Sequence, residues 1–277
     1  MSMMSVRTNI ASMAAAGQLG RTNKGLANSL SKISSGLRIN SASEDAAGLG
    51  VATNLESQVI STRQAMRNTN DGISIIQTAE SAANEVTDIL QRMRELAVQS
   101  SSETLADTER SFISDEFNQL RSEVGRIAAV TEFNGLQLAD GTNTGISVQV
   151  GIQNDSSSRI NIALGDLTTG TAGLNLDNLE LSTSTAARAS LDTIDTALGS
   201  VNSFRSQFGA VQNRLDSALN NSQISTEALS SAGSRIMDTD FATETSNLTK
   251  LQIMQQAGVA SLAQAKNINQ SVISLLS

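Results

Sequence analysis

The chain has 277 residues, enough to bury a sizeable core, and contains no Pro, Cys, His, Trp or Tyr. Without Cys there is no disulfide or thiolate site, and without His the commonest general base and metal ligand is missing; this composition argues against an enzyme and implies no cofactor and no metal. The formal net charge of −8 is unevenly placed: residues 44–241 carry 26 acidic and 12 basic side chains, whereas the first 43 hold Arg7, Arg21, Lys24, Lys32 and Arg38 and no acid.

Those five cations are too dilute, and too far from any aromatic, for a nucleic-acid arm. No stretch reaches the roughly 18 apolar residues of a membrane span, and no continuous apolar run follows the opening residues as in a cleaved signal peptide. At ordinary usage about 14 prolines would be expected, so their absence removes the strongest helix breaker from the whole chain. With six Phe as the only aromatics, the core must come from Leu, Ile, Val, Met and Ala, which suits closely packed helices.

Two regions, 1–43 and 242–277, are both apolar-periodic and rich in Ala, Ser, Asn and Gln. Neither stripe is stable as a lone helix in water, so each needs a partner face. Val6, Ile10 and Met13 open the first; Leu26, Leu30, Ile33 and Leu37 then step 4, 3, 4, one face of a helix or coiled-coil seam. Gly17, Gly20 and Gly25 weaken it by roughly 1 kcal/mol each, so it is expected to be disordered in the free monomer. Gly36 and Asn40-Ser41-Ala42-Ser43 break the pattern, with Ser43 and Glu44 as the expected cap of the next helix.

A long helix follows over about 44–99, roughly 80 Å at 1.5 Å per residue. Val59, Met66 and Ile73 form one heptad column; Ile76, Ala83, Leu90 and Ala97 form another, flanked by Val86 and Met93. Asn70-Asp71-Gly72 is expected to stay inside this helix, because Ile73 and Ile76 keep the phase. Ser100-Ser101-Ser102 marks a turn. A shorter helix carries Ile113, Phe117, Leu120, Val124 and Ile127, with Asp107 or Thr108 as its cap.

The period then changes to two. Ile146, Val148, Val150 and Ile152 alternate with polar residues and, after the turn 154–158, Ile160, Ile162 and Leu164 do the same: a β-hairpin at about 144–164. Residues 165–182 read as loop with a short strand at most. Helix resumes through Leu191, Ile194, Leu198, Val201, Phe208, Val211, Leu215 and Leu219 toward Ile236. The last stripe is Leu248, Leu251, Met254, Gly258, Leu262, Ala265, Ile268, Val272 and Leu275. Mainly α architecture follows: a long antiparallel helical bundle or coiled-coil rod with one small β-hairpin, plus a terminal two-helix coiled coil.

Several motifs carry a resemblance. Ser31 to Ala42 reads SKISSGLRINSA and is followed by Asp45-Ala46-Ala47-Gly48; Asn70 to Ser74 reads NDGIS, Leu90 to Gln99 reads LQRMRELAVQ, and Phe133-Asn134-Gly135 comes after. Near the other end Ser234 to Ala242 reads SRIMDTDFA, then Gln255-Gln256-Ala257-Gly258 and Leu275-Leu276. Together they resemble bacterial flagellin over about residues 1–140 and 185–277. Larger family members insert outer domains between about 140 and 185, so this chain resembles a minimal form without them.

The resemblance implies a structural subunit of the flagellar filament for swimming motility. It would be extracellular, and exported by the flagellar type III apparatus without a cleaved signal peptide. Residues 1–43 and 237–277 would be a discontinuous inner polymerisation domain, and 44–236 a helical rod. The polymerisation seam would comprise Leu26, Leu30, Ile33, Leu37, Leu251, Leu262, Val272 and Leu275. An export chaperone would hold Leu251, Leu262 and Ile268. Arg92, Leu96 and Glu116 would form one exposed patch, packing on neighbouring subunits and contacted by the animal Toll-like receptor that senses flagella. Filament cap and junction proteins would be further partners. Rival readings are a hook–filament junction protein and a coiled-coil translocator of a type III system.

Overall fold

The computed structural model describes residues 8–274, and side chains as far as Asn267. The expected seam positions Val272 and Leu275, the expected chaperone contact Ile268 and the stripe residue Val6 have side chains outside that range. The chain divides into two compact units, one made of the chain up to Ser57 together with the chain from Ala228, the other of Gln58–Glu227. Five helices and two short antiparallel sheets make up the described residues.

The first unit is built around α1 (Ile10–Ser35) and α5 (Phe241–Ser274), which pack antiparallel. Asn9 donates to the Ala265 carbonyl at 2.9 Å, Gln255 to Asn23 at 2.9 Å, and Ser29 to Glu244, so rising numbers on one helix meet falling numbers on the other. Asn9 also caps α1, its Oδ1 accepting from the Ser12 N–H at 2.9 Å. Gly36 ends the helix at φ 74, a left-handed position that glycine adopts at no steric cost. Two long helices, α2 (Ala46–Ser100) and α4 (Ser184–Met237), contribute residues to both units. The α2 cap is Asp45, whose Oδ1 accepts from the Gly48 N–H at 2.8 Å, rather than the expected Ser43. Glu44 instead accepts from the Asn40 N–H at 2.8 Å, which holds its carboxyl below the ordinary range.

In the second unit α2 turns at Ser100, as the serine run predicts, and α3 (Asp107–Val130) folds back along it. The expected α3 cap was Asp107 or Thr108; the cap position is Ala106, which has no side-chain acceptor. Glu109 compensates by accepting from the Ala106 N–H at 3.1 Å. The turn is clasped by Arg110, 5% exposed, whose guanidinium donates to the carbonyls of Ser100, Ser102 and Leu105. A buried guanidinium at the C-terminus of α2 meets the negative end of that helix, so carbonyls take the place of a counter-ion.

Strands β1 (Glu132–Phe133) and β2 (Leu136–Gln137) form a tight hairpin through Asn134 and Gly135, at φ 51 and 77, the signature of a primed turn. The larger hairpin joins β3 (Gly145–Gln149) to β4 (Arg159–Ala163), pairing Val148 with Ile160 and Ile146 with Ile162. It lies on α2 at Gly72, where an added Cβ would come within 3.0 Å of Val148. Asn70-Asp71-Gly72 therefore does stay helical, and the glycine admits the hairpin. Ile152 lies past the strand and is exposed, unlike the other alternating positions. No strand forms in residues 165–182, but Leu167, Leu174, Leu176, Leu179 and Leu181 are all buried against α3 and α4 residues such as Phe117, Val124, Ile194 and Val201.

Candidate assembly and recognition surfaces

The α1–α5 seam has a heptad phase, but with an unusual composition. On α1 the positions turned from solvent are Ser12, Ala15, Leu19, Thr22, Leu26, Ser29 and Ile33, with Gly25 and Lys32 flanking them; on α5 they are Glu244, Leu248, Leu251, Gln255, Gly258, Leu262 and Ala265. Steps of three and four run through both. Two leucines enter two glycines reciprocally. Leu251 Cδ2 would lie 3.3 Å from a Cβ at Gly25, and Leu19 Cδ1 would lie 3.2 Å from one at Gly258. These notches bring the backbones close, and a Cβ at either glycine would make the facing leucine methyl give way by a few tenths of an ångström, a packing role that a helix propensity scale does not register.

Of the expected seam, Leu26, Ile33, Leu37, Leu251 and Leu262 are half-buried, whereas Leu30 is 50% exposed and lies off the seam. Leu30 follows Ser29, and it is the serine that faces α5; the apolar stepping of 26, 30, 33, 37 drifts one residue from the true phase of 22, 26, 29, 33. Thr22 and Ser29 were missed because a polar seam residue gives no hydropathy signal, though both hydroxyls are satisfied, on Gln18 and Glu244. A second set of apolar side chains in this unit meets nothing: Ile10, Met13, Ile253 and Val259 are each more than half exposed.

The rod unit brings Arg92 and Glu116 together. Arg92 donates through Nε and a terminal nitrogen to Glu116 Oε1 at 3.0 and 2.8 Å, and also to Glu95 at 2.9 Å. Glu116 first, then Glu95, hold the guanidinium above its ordinary range. Both partners are about half exposed, so the pair orients the surface more than it stabilises the fold. Arg94 makes a second such contact to Asp195 at 2.6 Å, which keeps that carboxyl low.

Leu96 does not belong to this exposed patch. It is 2% exposed and packs in the core with Met93 and Phe117. The burial stripe of α2 is wider than two columns, running Val86, Ile89, Leu90, Met93, Leu96, Ala97 and Ser100, and position 96 lies seven after Ile89 inside it. The exposed apolar residue beside the ion pair is Phe112, 68% exposed and one turn before Glu116 on α3. Sequence reasoning passed over it because it fits no periodic stripe, which is itself the available signal.

Among the described residues no group of three or more acidic side chains could hold a metal ion, and no helix is long and apolar enough to cross a membrane. What the residues build is a helical rod with a lightly packed helix pair and several bare apolar or charged faces. That is the class of a structural protein that associates with itself.

Comparison with known proteins names the class more narrowly. Residues 6–144 match the bacterial flagellin N-terminal helical region, and residues 191–276 match the bacterial flagellin C-terminal helical region. A flagellin of Halalkalibacterium halodurans is 42% identical over 247 residues, covering 89% of this chain and 90% of its own. A flagellar filament 33 kDa core protein of Treponema phagedenis is 38% identical, covering 99% and 100%. Flagellin of Bacillus subtilis is 36% identical over the same shares. The chain belongs to the bacterial flagellin family, a family of structural proteins. It is a subunit of the flagellar filament, and the hook–filament junction reading is not favoured.

Proposed function

We propose that this subunit polymerises through the α1–α5 unit, with residues 1–43 and 237–277 as the inner polymerisation domain and 44–236 as the rod around it. The observation that carries this reading is the contrast within α1 and α5: the helices meet on a glycine-notched seam of leucines mixed with polar residues, while Ile10, Met13, Ile253 and Val259 stay bare. Burying such faces against neighbouring copies contributes about 25 cal/mol per Å² and favours assembly. In the filament, Leu26, Ile33, Leu251 and Leu262 keep the pair together.

Export without a cleaved signal, to an extracellular filament, fits the same chain. A cytoplasmic chaperone covering Leu251, Leu262 and Ile268 would keep the bare stripe from polymerising early, as an amphipathic helix seated in a groove. Arg92 and Glu116 are the surface on which the Toll-like receptor would act, with Leu96 supporting from beneath. Cap and junction proteins would meet the same inner domain at the filament ends.

The test is Leu262→Asp in the full chain. Placing a carboxylate in a seam that neighbours would close costs several kcal/mol. Sedimentation should show monomer only, with the melting of the rod unchanged. Filaments at wild-type yield would overturn the assignment of α5 to the polymerisation domain.

A further inference from the structure

One cavity in the rod unit belongs to neither surface above. It is an open depression of about 470 Å³ between the larger hairpin and α4, bordered by Ser156 and Arg159 on one side and Arg214 and Ser217 on the other. No carboxylate borders it. Asp155, next to it in sequence, is engaged in its own loop, accepting from Ser157 at 3.0 Å and from the Ser158 N–H at 2.7 Å. Arg159 uses Nε on Gln149 and one terminal nitrogen on Asn154, leaving the other terminal nitrogen free of hydrogen bonds among the described residues. Arg214 is exposed and enters no ion pair among the described residues.

In a chain of net charge −8 such a site is an exception, and the rest of the unit supplies its complement. Segments 58–76, 146–163 and 200–227, which surround the depression, hold five arginines and four acids. Segments 88–121 and 177–195, around the α2–α3 turn, hold eleven acids and five arginines. Within one molecule these groups do not meet. Gly72 marks the level of Leu215 on α4, and from there to Ser100 the helix rises about 40 Å, several Debye lengths at physiological salt. On the acidic side the N-terminal half of α3 exposes Asp107, Phe112 and Asp115, and neither Asp enters an ion pair among the described residues. Phe112 is bare, as is Ile152 on the turn of the larger hairpin.

We propose that the depression at Arg159 and Arg214 receives Asp107 and Asp115 of a second copy, with Phe112 packing on the hairpin turn near Ile152. Each copy then offers both halves of the contact at different levels of its rod. Such a contact is heterologous, the type that continues from copy to copy as a filament when its rotation does not close into a ring. The opposed charges also favour one orientation over its reverse, because the inverted pairing would place acid on acid. The proposal rests on polymerisation as the function, and adds to it a polar, salt-dependent contact in the rod unit beside the apolar one in the terminal unit.

Charge exchange in the full-length chain tests it. Arg214→Glu alone, chosen because Arg214 has no ion-pair partner to lose, should raise the critical concentration for seeded polymerisation about tenfold, as should Asp107→Arg with Asp115→Arg. Combining the three substitutions in one chain should restore growth to within about threefold of the parent. Melting temperature and helical circular dichroism of the monomers should be unchanged, which assigns the loss to association. Parental growth by either set, or no recovery in the combination, overturns this contact while leaving the α1–α5 reading intact. Failure of the parent chain to polymerise would overturn both.

Discussion

The terminal unit and the rod unit are made from the same kind of amphipathic helix, yet they differ in what they keep for themselves. In the rod, Ile76, Leu90, Met93, Phe117, Ile194 and Leu215 are at most 1% exposed, and they belong to two clusters of buried apolar residues. In the terminal unit the only buried apolar residues among those described are Ile39 and Ala52, while Ile10, Met13, Leu30, Val51, Phe241, Ile253 and Val259 are at least half exposed. The rod folds on its own burial. The terminal pair mixes polar and glycine positions with half-buried leucines in its seam and leaves further apolar residues bare, which fits the proposal that other copies complete it, and a lone pair of this kind is marginal in water.

That comparison can be broken at several places. The largest effect is expected in the rod core, where Phe117→Ala should cost about 3–5 kcal/mol. The main thermal transition should drop, whereas Leu251→Ala, on the terminal seam, should leave it where it was. Equal shifts in that transition would mean that the two units unfold as one.

A smaller loss is expected at the α2–α3 turn. Arg110→Met keeps the packing volume but leaves three carbonyls without their donor, at about 1–3 kcal/mol. Hydrogen exchange should open locally around residues 100–110, and unchanged protection there would show that the clasp is dispensable.

The least effect belongs to the exposed pairs. Arg92→Ala should leave the melting temperature unaltered while weakening receptor signalling by monomer; undiminished signalling would remove the receptor assignment. Asp195 adds a pH signature. Its carboxyl is held low by Arg94, so the contribution is present above the ordinary carboxylate range and is lost as pH falls through the lowered folded value. Arg94→Gln should lower stability slightly at neutral pH and not at all below the lowered folded value, so the acid side of the stability curve should flatten by that same small amount.

Legibility in the sequence follows the same division. Heptad columns in α2 placed Ile76, Ala83, Leu90 and Met93 correctly, because there a single apolar face meets a single core. The hairpin was legible from its period of two. The leucines of 165–182 were not, since irregular backbone has no period to read even when every side chain is buried. On α1 the apolar residues gave the right helix but a phase one residue off at Leu30, because the seam is carried by Thr22, Ser29 and Gly25, which hydropathy does not register. Leu96 failed for the opposite reason: the motif drew attention to it, but its place seven residues after Ile89 assigns it to the core and leaves Phe112 as the bare apolar neighbour of Arg92 and Glu116.

The most direct test of the contrast is hydrogen exchange measured on monomer and on filament. In monomer the amides of α1 and α5 should exchange orders of magnitude faster than those of α2, α3 and α4 within 58–227, and in filament both sets should be slow. Helices α1 and α5 as protected in monomer as the rod would contradict the account, since the terminal pair would then need no partner to be stable.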